Sequence, residues 1–274
     1  MPPNLYSLVN SGQRLASRSR YAVRLAFYLR NQCNRVLRSY VGGDPDPETN
    51  GEAWLVRNVA PQISNFVDVG ANVGNWASMV WALQPAARGL LLEPAESALK
   101  QLSVRFGEDS RATIVAAAVG AQEGVAEFFE DVGAGETSSL FVSHAPSGAI
   151  RRQVGVITLD AVCREHRLEC VDLLKIDAEG YDFQVLRGAE GLLTQQRVAV
   201  LQFEYNQPWV NAGATLAAAH ELLHRCGYQV YALQGSGLRP FEYARFGEFF
   251  DYANFVALSR KAANQFASLI GSPI

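Results

Sequence analysis

"FVDVGANVGNWA" (66–77) decides how the rest of the chain reads. An apolar run carrying one acid, Asp68, enters Gly70; Asn72 and Gly74 follow, and a helix-like segment begins at Trp76. Strand, glycine turn and helix in that order offer backbone N–H groups at a helix start to a ligand lying beyond the strand end. The glycines allow a tight turn and close approach of that ligand to backbone. A dinucleotide fingerprint needs glycines at 70, 72 and 75, and this chain has Asn72 and Asn75.

The two acids around the turn narrow the ligand. A carboxylate at Asp68 repels a pyrophosphate but suits a cationic amino-acid group. The next apolar run, "LLLEP" (90–94), ends in Glu93, 23 residues after Gly70. An acid there can accept both hydroxyls of a ribose. A nucleoside that carries an amino acid and no phosphate is S-adenosylmethionine.

The pattern beyond this stretch alternates. "GLLLE" (89–93), "ATIVAAAV" (112–119), "GVAEFFED" (124–131), "QVGVITLD" (153–160), "VDLLKID" (171–177), "VAVLQFEY" (198–205), "YQVYAL" (228–233) and "ANFVALS" (253–259) read as strands. Helical patterns fall at 76–83, 96–106 and 214–226, with another after residue 177. This alternation predicts an α/β fold: a doubly wound, mostly parallel sheet with helices on both faces and ligands beyond the carboxyl ends of its strands.

Composition bounds the function. Hydrophobic residues make up 49% of the 274 and charged residues 19%, ample for a core. The net charge of −3 carries no polyanion-binding signature, so no nucleic-acid partner is expected. Cys33, Cys163, Cys170 and Cys226 form no CxxC pair, which argues for a reducing compartment and against a disulfide framework or structural zinc. No apolar run approaches the roughly 18 residues of a membrane span, and no signal-peptide core is evident. The expectation is a cytoplasmic protein.

Residues 1–50 differ from the rest. Seven arginines and no acid lie between Arg14 and Arg38. On a helical wheel Leu15, Ala22, Leu25, Ala26, Leu29, Cys33, Val36 and Tyr40 share one face, with Arg20, Arg24, Arg35 and Arg38 roughly opposite. This basic amphipathic helix either packs on the main domain or docks on a partner or on an anionic inner-membrane face. "GGDPDPETNG" (42–51) is a turn-rich linker, leaving 51–274 as the main domain. Oligomeric state is not legible.

"FVDVGANVGNWA", "LLLEP", "ETSSL" (136–140), "ITLD" (157–160), "LLKIDAEGYDFQVLRGA" (173–189) and "LQFEYN" (201–206) follow one another in an order that resembles the FkbM-type methyltransferases, class I enzymes that depend on S-adenosylmethionine. The resemblance spans about residues 52–260. It implies a Rossmann-like seven-stranded sheet whose last strand, "ANFVALS" here, runs antiparallel. It implies O-methylation of hydroxyls on sugars, glycolipids, glycopeptides or natural products. Carried over residue by residue, it places Asp68, Gly70, Ala71, Asn72 and Gly74 along the methionine and ribose side of the cofactor. Glu93 would take the ribose hydroxyls, with Pro94 beside it and Ala117, Ala118 and Val119 flanking the adenine.

Methyl transfer from a sulfonium needs an oxygen held in line with the methyl carbon and a group that takes its proton. Lys175, Asp177 and Glu179 alternate out of the fourth parallel strand, and Glu204 and Asn206 end the fifth, so the base is sought among Lys175, Asp177, Glu179 and Glu204, with Asp177 also placed to touch the cofactor's amino group. Lys175, one of three lysines, reads equally as a charge partner of the acids. Asp177, Glu204 and Asn206 supply three hard oxygens, and catechol-type O-methyltransferases bind Mg²⁺ in a similar layout; Mg²⁺ is the weaker reading and no metal site is assigned. His144, on a loop behind a glycine-rich stretch, is a further candidate base. Trp209 reads either as a sugar platform or as a rim plug. Two competing functions are an oxidoreductase, against which Asn72 and Asn75 speak, and a non-catalytic membrane-associated assembly factor, against which the acids at 68, 93, 177 and 179 speak.

Overall fold

The computed structural model describes residues 3–43, 46, 49–131, 138–140 and 148–272. They fall into two units, Met1–Tyr40 and Val41–Ile274. The first contains α1 (Pro3–Ala16) and α2 (Arg20–Tyr40). The apolar face read from Leu15 to Tyr40 is therefore interrupted at residues 17–19. Ser19 Oγ accepts the Ala22 N–H there and starts α2 afresh, so Leu15 belongs to α1.

The second unit opens with α3 (Glu52–Val59) and continues through β1 (Asn65–Val69), α4 (Asn75–Leu83), β2 (Arg88–Leu92), α5 (Glu96–Phe106), β3 (Ala112–Val115), β4 (Ala118–Val119), β5 (Gly124–Glu130) and β6 (Ile150–Ile157). Then come α6 (Leu159–Glu165), β7 (Val171–Ile176), α7 (Asp182–Gly188), α8 (Glu190–Thr194), β8 (Val198–Tyr205), α9 (Leu216–Arg225), β9 (Gln229–Gln234), β10 (Gly237–Pro240), α10 (Tyr243–Phe246), β11 (Ala253–Leu258) and α11 (Arg260–Gln265). Among the described residues eight strands form one sheet, ordered β10-β9-β11-β8-β7-β1-β2-β3. The neighbours from β8 to β3 pair in parallel, and β11 lies antiparallel between β8 and β9. Six of the eight strands thus point one way, in the mostly parallel, doubly wound arrangement expected from the sequence. β10 is an addition to the seven strands expected: Gly235 and Ser236 turn the chain back and pair Gly237 with Gln234.

The expected strand over 112–119 divides. β3 stays in the large sheet only to Val115, and the Ala117 N–H closes onto the Val115 carbonyl at 3.1 Å. The chain then leaves the sheet, and β4 pairs with β6 in a second, three-stranded sheet, β4-β6-β5. "QVGVITLD" also divides: Thr158 ends the strand and caps α6 by accepting the Ala161 N–H.

Strands at the centre are buried on both faces, which is why they read as unbroken apolar runs; all six residues of β11 are buried. Between the sheet and α4, Phe66 meets Trp76 and Trp81 edge-on, with ring centroids 5.7 and 5.1 Å apart. Gly89 of β2 makes room for them: a Cβ there would stand 2.5 Å from Phe66 Cζ and 2.8 Å from Trp81 Cζ2. Gly89→Val should therefore overpack this wedge and cost about 1–3 kcal/mol of stability. Urea unfolding followed by tryptophan fluorescence checks this; an unchanged midpoint would contradict the packing described.

Candidate active site

The ends of four adjacent strands, β2, β1, β7 and β8, meet at the site, and close backbone contacts hold them together. The turn after β1 is made by left-handed residues, Gly70 (φ 79°), Asn72 (φ 48°) and Gly74 (φ 80°). A Cβ on Gly70 would lie 1.9 Å from the Asp177 carbonyl oxygen, so this turn packs directly on the end of β7. The next turn passes through Glu179 (φ 49°) and Gly180 (φ 93°), and a Cβ on Gly180 would lie 2.3 Å from Pro208 Cβ, in the turn that follows β8.

These turns enclose a cavity of about 580 Å³. Gly70, Ala71, Asn72, Glu93 and Pro94 line it from the β1 and β2 ends, and Ala117 and Ala118 from the break between β3 and β4. Lys175, Asp177, Glu179 and Glu204 line it from the β7 and β8 ends. Asp68 lies beneath, fully buried. Gly74 does not line the cavity; it precedes α4, and the space beside it is filled by Phe106 and Leu102. His144 lies outside the described residues. Trp209 is neither platform nor plug: it is buried in an aromatic cluster and donates its indole N–H to the Glu204 carbonyl at 3.1 Å.

Each carboxylate oxygen of Glu93 accepts one backbone N–H at 2.8 Å, Oε2 from Asn72 and Oε1 from Ala95. A carboxylate has about four acceptor positions, so two remain for hydroxyls. Burial, opposed by these two hydrogen bonds, pushes the Glu93 carboxyl up to about 7.

The floor of the cavity is ionic. Lys175 stands in register beside Asp68 on the neighbouring strand. Its Nζ is 3.0 Å from Asp177 Oδ2 and 3.7 Å from Glu52 Oε1. Burial alone would lower the Lys175 ammonium, but Asp177, Glu52 and Asp68 outweigh it and hold the group charged. Asp68 is pushed up to about 7, mainly by burial and against the pull of Lys175; neither of its carboxylate oxygens has a hydrogen-bond partner among the described residues. Burial raises Glu204 well above the usual carboxylate range, with Asp177, Asp182 and Glu179 adding to it. Burial, with Asp177 second, pushes Asp182 at the start of α7 to about 8.

Among the side chains that sequence reasoning missed here are Glu52, Trp76, Tyr181 and Tyr252, which all line the cavity. Glu52 carried a signal, being an acid just before an apolar helix, yet it read only as the edge of the domain. It is buried and accepts the Gln202 amide at 2.6 Å as well as facing Lys175. Of the three oxygens read as a Mg²⁺ layout, Asp177 is engaged by Lys175, and the Asn206 amide donates to Glu204. Among the described residues no group of three or more His, Cys, Asp and Glu side chains is placed to hold a metal ion.

The cavity fits S-adenosylmethionine on its own chemistry. Buried acids outnumber the one ammonium, which favours a cationic ligand, and Glu93 keeps acceptors for a diol. Gly70 and Ala71 present no bulk between ligand and backbone.

Residues 68–230, more than half of the chain, match the family described as methyltransferase FkbM domain. No curated protein matches the chain. Among solved structures it is similar to a TehB-like S-adenosylmethionine-dependent methyltransferase from Corynebacterium glutamicum, at 14% identity over 87% of this chain and 99% of that one, with a TM-score of 0.40. It is also similar to Aeropyrum pernix fibrillarin with bound S-adenosyl-L-methionine, at 12% identity over 82% and 74%, TM-score 0.39. A precorrin-6y C5,15-methyltransferase from Geobacter metallireducens gives 14% over 76% and 87%, TM-score 0.39.

The raised carboxyls make stability depend on pH. Asp68, Glu93 and Asp182 bind protons more tightly folded than unfolded, so the stability they contribute is present at low pH and lost as pH rises toward about 7–8. The ligand-free protein should lose unfolding free energy between about pH 5 and pH 8. Asp182→Asn, which keeps the shape and removes the charge, should flatten that fall and stabilise the protein at pH 8 by at least about 1 kcal/mol. Urea unfolding across this range decides it; a wild-type stability that rises with pH would contradict these proton affinities.

Proposed function

The chain belongs to the FkbM methyltransferase family, whose members depend on S-adenosylmethionine, and from that premise we propose that it methylates a hydroxyl oxygen of a sugar, glycolipid or natural-product acceptor. What carries the reading is one cavity that joins a cofactor end, Glu93 with the Gly70–Asn72 turn and the buried Asp68 behind it, to a cluster of acids at the β7 and β8 ends.

The bound cofactor supplies an electrophilic methyl group on a sulfonium. Glu93 would hold the ribose hydroxyls with its remaining acceptor positions. Asn72, turned left-handed, gives its N–H to Glu93 and so fixes the carboxylate that the ribose meets. Asp177 is engaged with Lys175 and sets the charge of the floor. Glu204 is the group best suited to take the acceptor's proton. It lines the cavity, Asn206 orients its carboxylate, and burial makes it a stronger proton acceptor than an ordinary carboxylate. Glu179 faces the same space from its left-handed turn, where it can hold a further acceptor hydroxyl. Tyr181 and Tyr252 add aromatic wall on that side, suited to the apolar face of a sugar ring.

Methyl-labelled S-adenosylmethionine incubated with a panel of sugars, glycolipids and polyols should give a product whose label sits on oxygen, read by mass spectrometry. Glu204→Gln should lower turnover by roughly 10²–10⁴ while leaving cofactor affinity close to wild type. Label found on nitrogen or carbon would overturn the acceptor class, and a Glu204→Gln enzyme of near wild-type rate would overturn the base.

A further inference from the structure

Helix α2 presents an apolar stripe, and none of its described residues is buried. Leu25, Leu29, Val36 and Leu37 are 58%, 53%, 70% and 47% exposed. The 3.6-residue period puts Leu25, Leu29 and Val36 on one side and Arg20, Arg24 and Arg35 on the other. Tyr21 and Tyr28 fall at one margin between the two. Arg30 falls at the other, its guanidinium 5.0 Å over the Phe27 ring. A single exposed leucine needs no explanation, but a continuous stripe along a helix of 21 residues does.

The charge around the stripe selects what covers it. Residues 1–43 hold seven arginines and no acid. The chain has 24 Lys and Arg against 27 Asp and Glu, so residues 44–274 keep 17 bases against 27 acids, a net of −10 beside +7. A second copy of α2 would offer a matching apolar stripe but would bring another seven positive charges into one small bundle. An anionic lipid surface offers a continuous apolar plane and negative charge together. Tyrosines at the margin suit the headgroup level, where a ring is half wet. Among the described residues no helix is long and apolar enough to cross a membrane, so α2 would lie on the surface rather than span it.

We propose that α2 docks this protein on anionic membrane surfaces, Leu25, Leu29 and Val36 entering the interface and the arginines drawing the helix to the headgroups. The site chemistry described above plays no part in this argument, so the two readings stand or fall separately.

The test is flotation of the full chain with vesicles of equal parts phosphatidylcholine and phosphatidylglycerol, against vesicles of phosphatidylcholine alone. Binding should be at least about tenfold tighter to the anionic vesicles and should weaken as salt is raised. Leu25→Ser with Leu29→Ser, and separately Arg20→Gln with Arg24→Gln and Arg35→Gln, should each reduce that binding at least about tenfold while S-adenosylmethionine affinity is unchanged. The arginine variant keeps the apolar stripe and the helix, so it remains informative if the serine variant loses helicity. Equal binding to neutral and anionic vesicles would overturn the proposal, as would arginine variants that float like wild type. A wild type that does not float but sediments as a dimer, dissociated by the serine pair, would assign the stripe to a second copy and overturn it as well.

Discussion

Lys175 places one ammonium among Glu52, Asp68 and Asp177, and the character of the site follows from that imbalance. A buried carboxylate with no positive neighbour takes up a proton rather than stay charged. One ammonium cannot compensate three acids, with Glu93 and Glu204 close by. Burial is the main cause of the raised proton affinity here, and the neighbouring acids add to it: Asp68 and Glu93 both sit at about 7, and Glu204 is well above the usual range. A cation arriving in the cavity replaces those protons. Loss of Lys175 would leave its partners uncompensated, the costly way to break a buried ion pair.

The geometry of the site depends on backbone contacts rather than long side chains. Gly70 lets the β1 turn touch the Asp177 carbonyl, and Gly180 lets the β7 turn touch Pro208. The Gly70 and Ala71 N–H groups both donate to the Leu92 carbonyl, and the Asp177 N–H donates to the Val69 carbonyl. Four adjacent strand ends are thereby locked to one another. Glu93, Asp177, Glu179 and Glu204 are delivered from this locked rim to a single space.

Much of this was legible in the sequence for identifiable reasons. Central strands bury both faces, so β1, β2, β7, β8 and β11 announced themselves as apolar runs, and the glycine turn marked the strand end that carries the site. What was missed depends on tertiary pairing. "ATIVAAAV" reads as one strand because every residue suits a strand; only the competing partner β6 draws Ala118 and Val119 away. β10 is short, and its "QGSG" turn was a usable signal left unread. Glu52 lies 150 residues from Gln202 in sequence, and no local pattern marks an acid that will be buried at such a distance. Gly74 looked like part of the ligand turn because spacing alone does not separate a glycine that admits ligand from one that admits Phe106.

The central claim is that an excess of buried acids prepares the cavity for a cationic nucleoside. Isothermal titration of the full chain with S-adenosylmethionine near pH 7, repeated in buffers of different ionisation enthalpy, tests it most directly. The account predicts saturable binding at one site per chain, with protons released to the buffer as Asp68 and Glu93 give up the protons that burial had held on them. Absence of binding, or binding with no proton released, would contradict it.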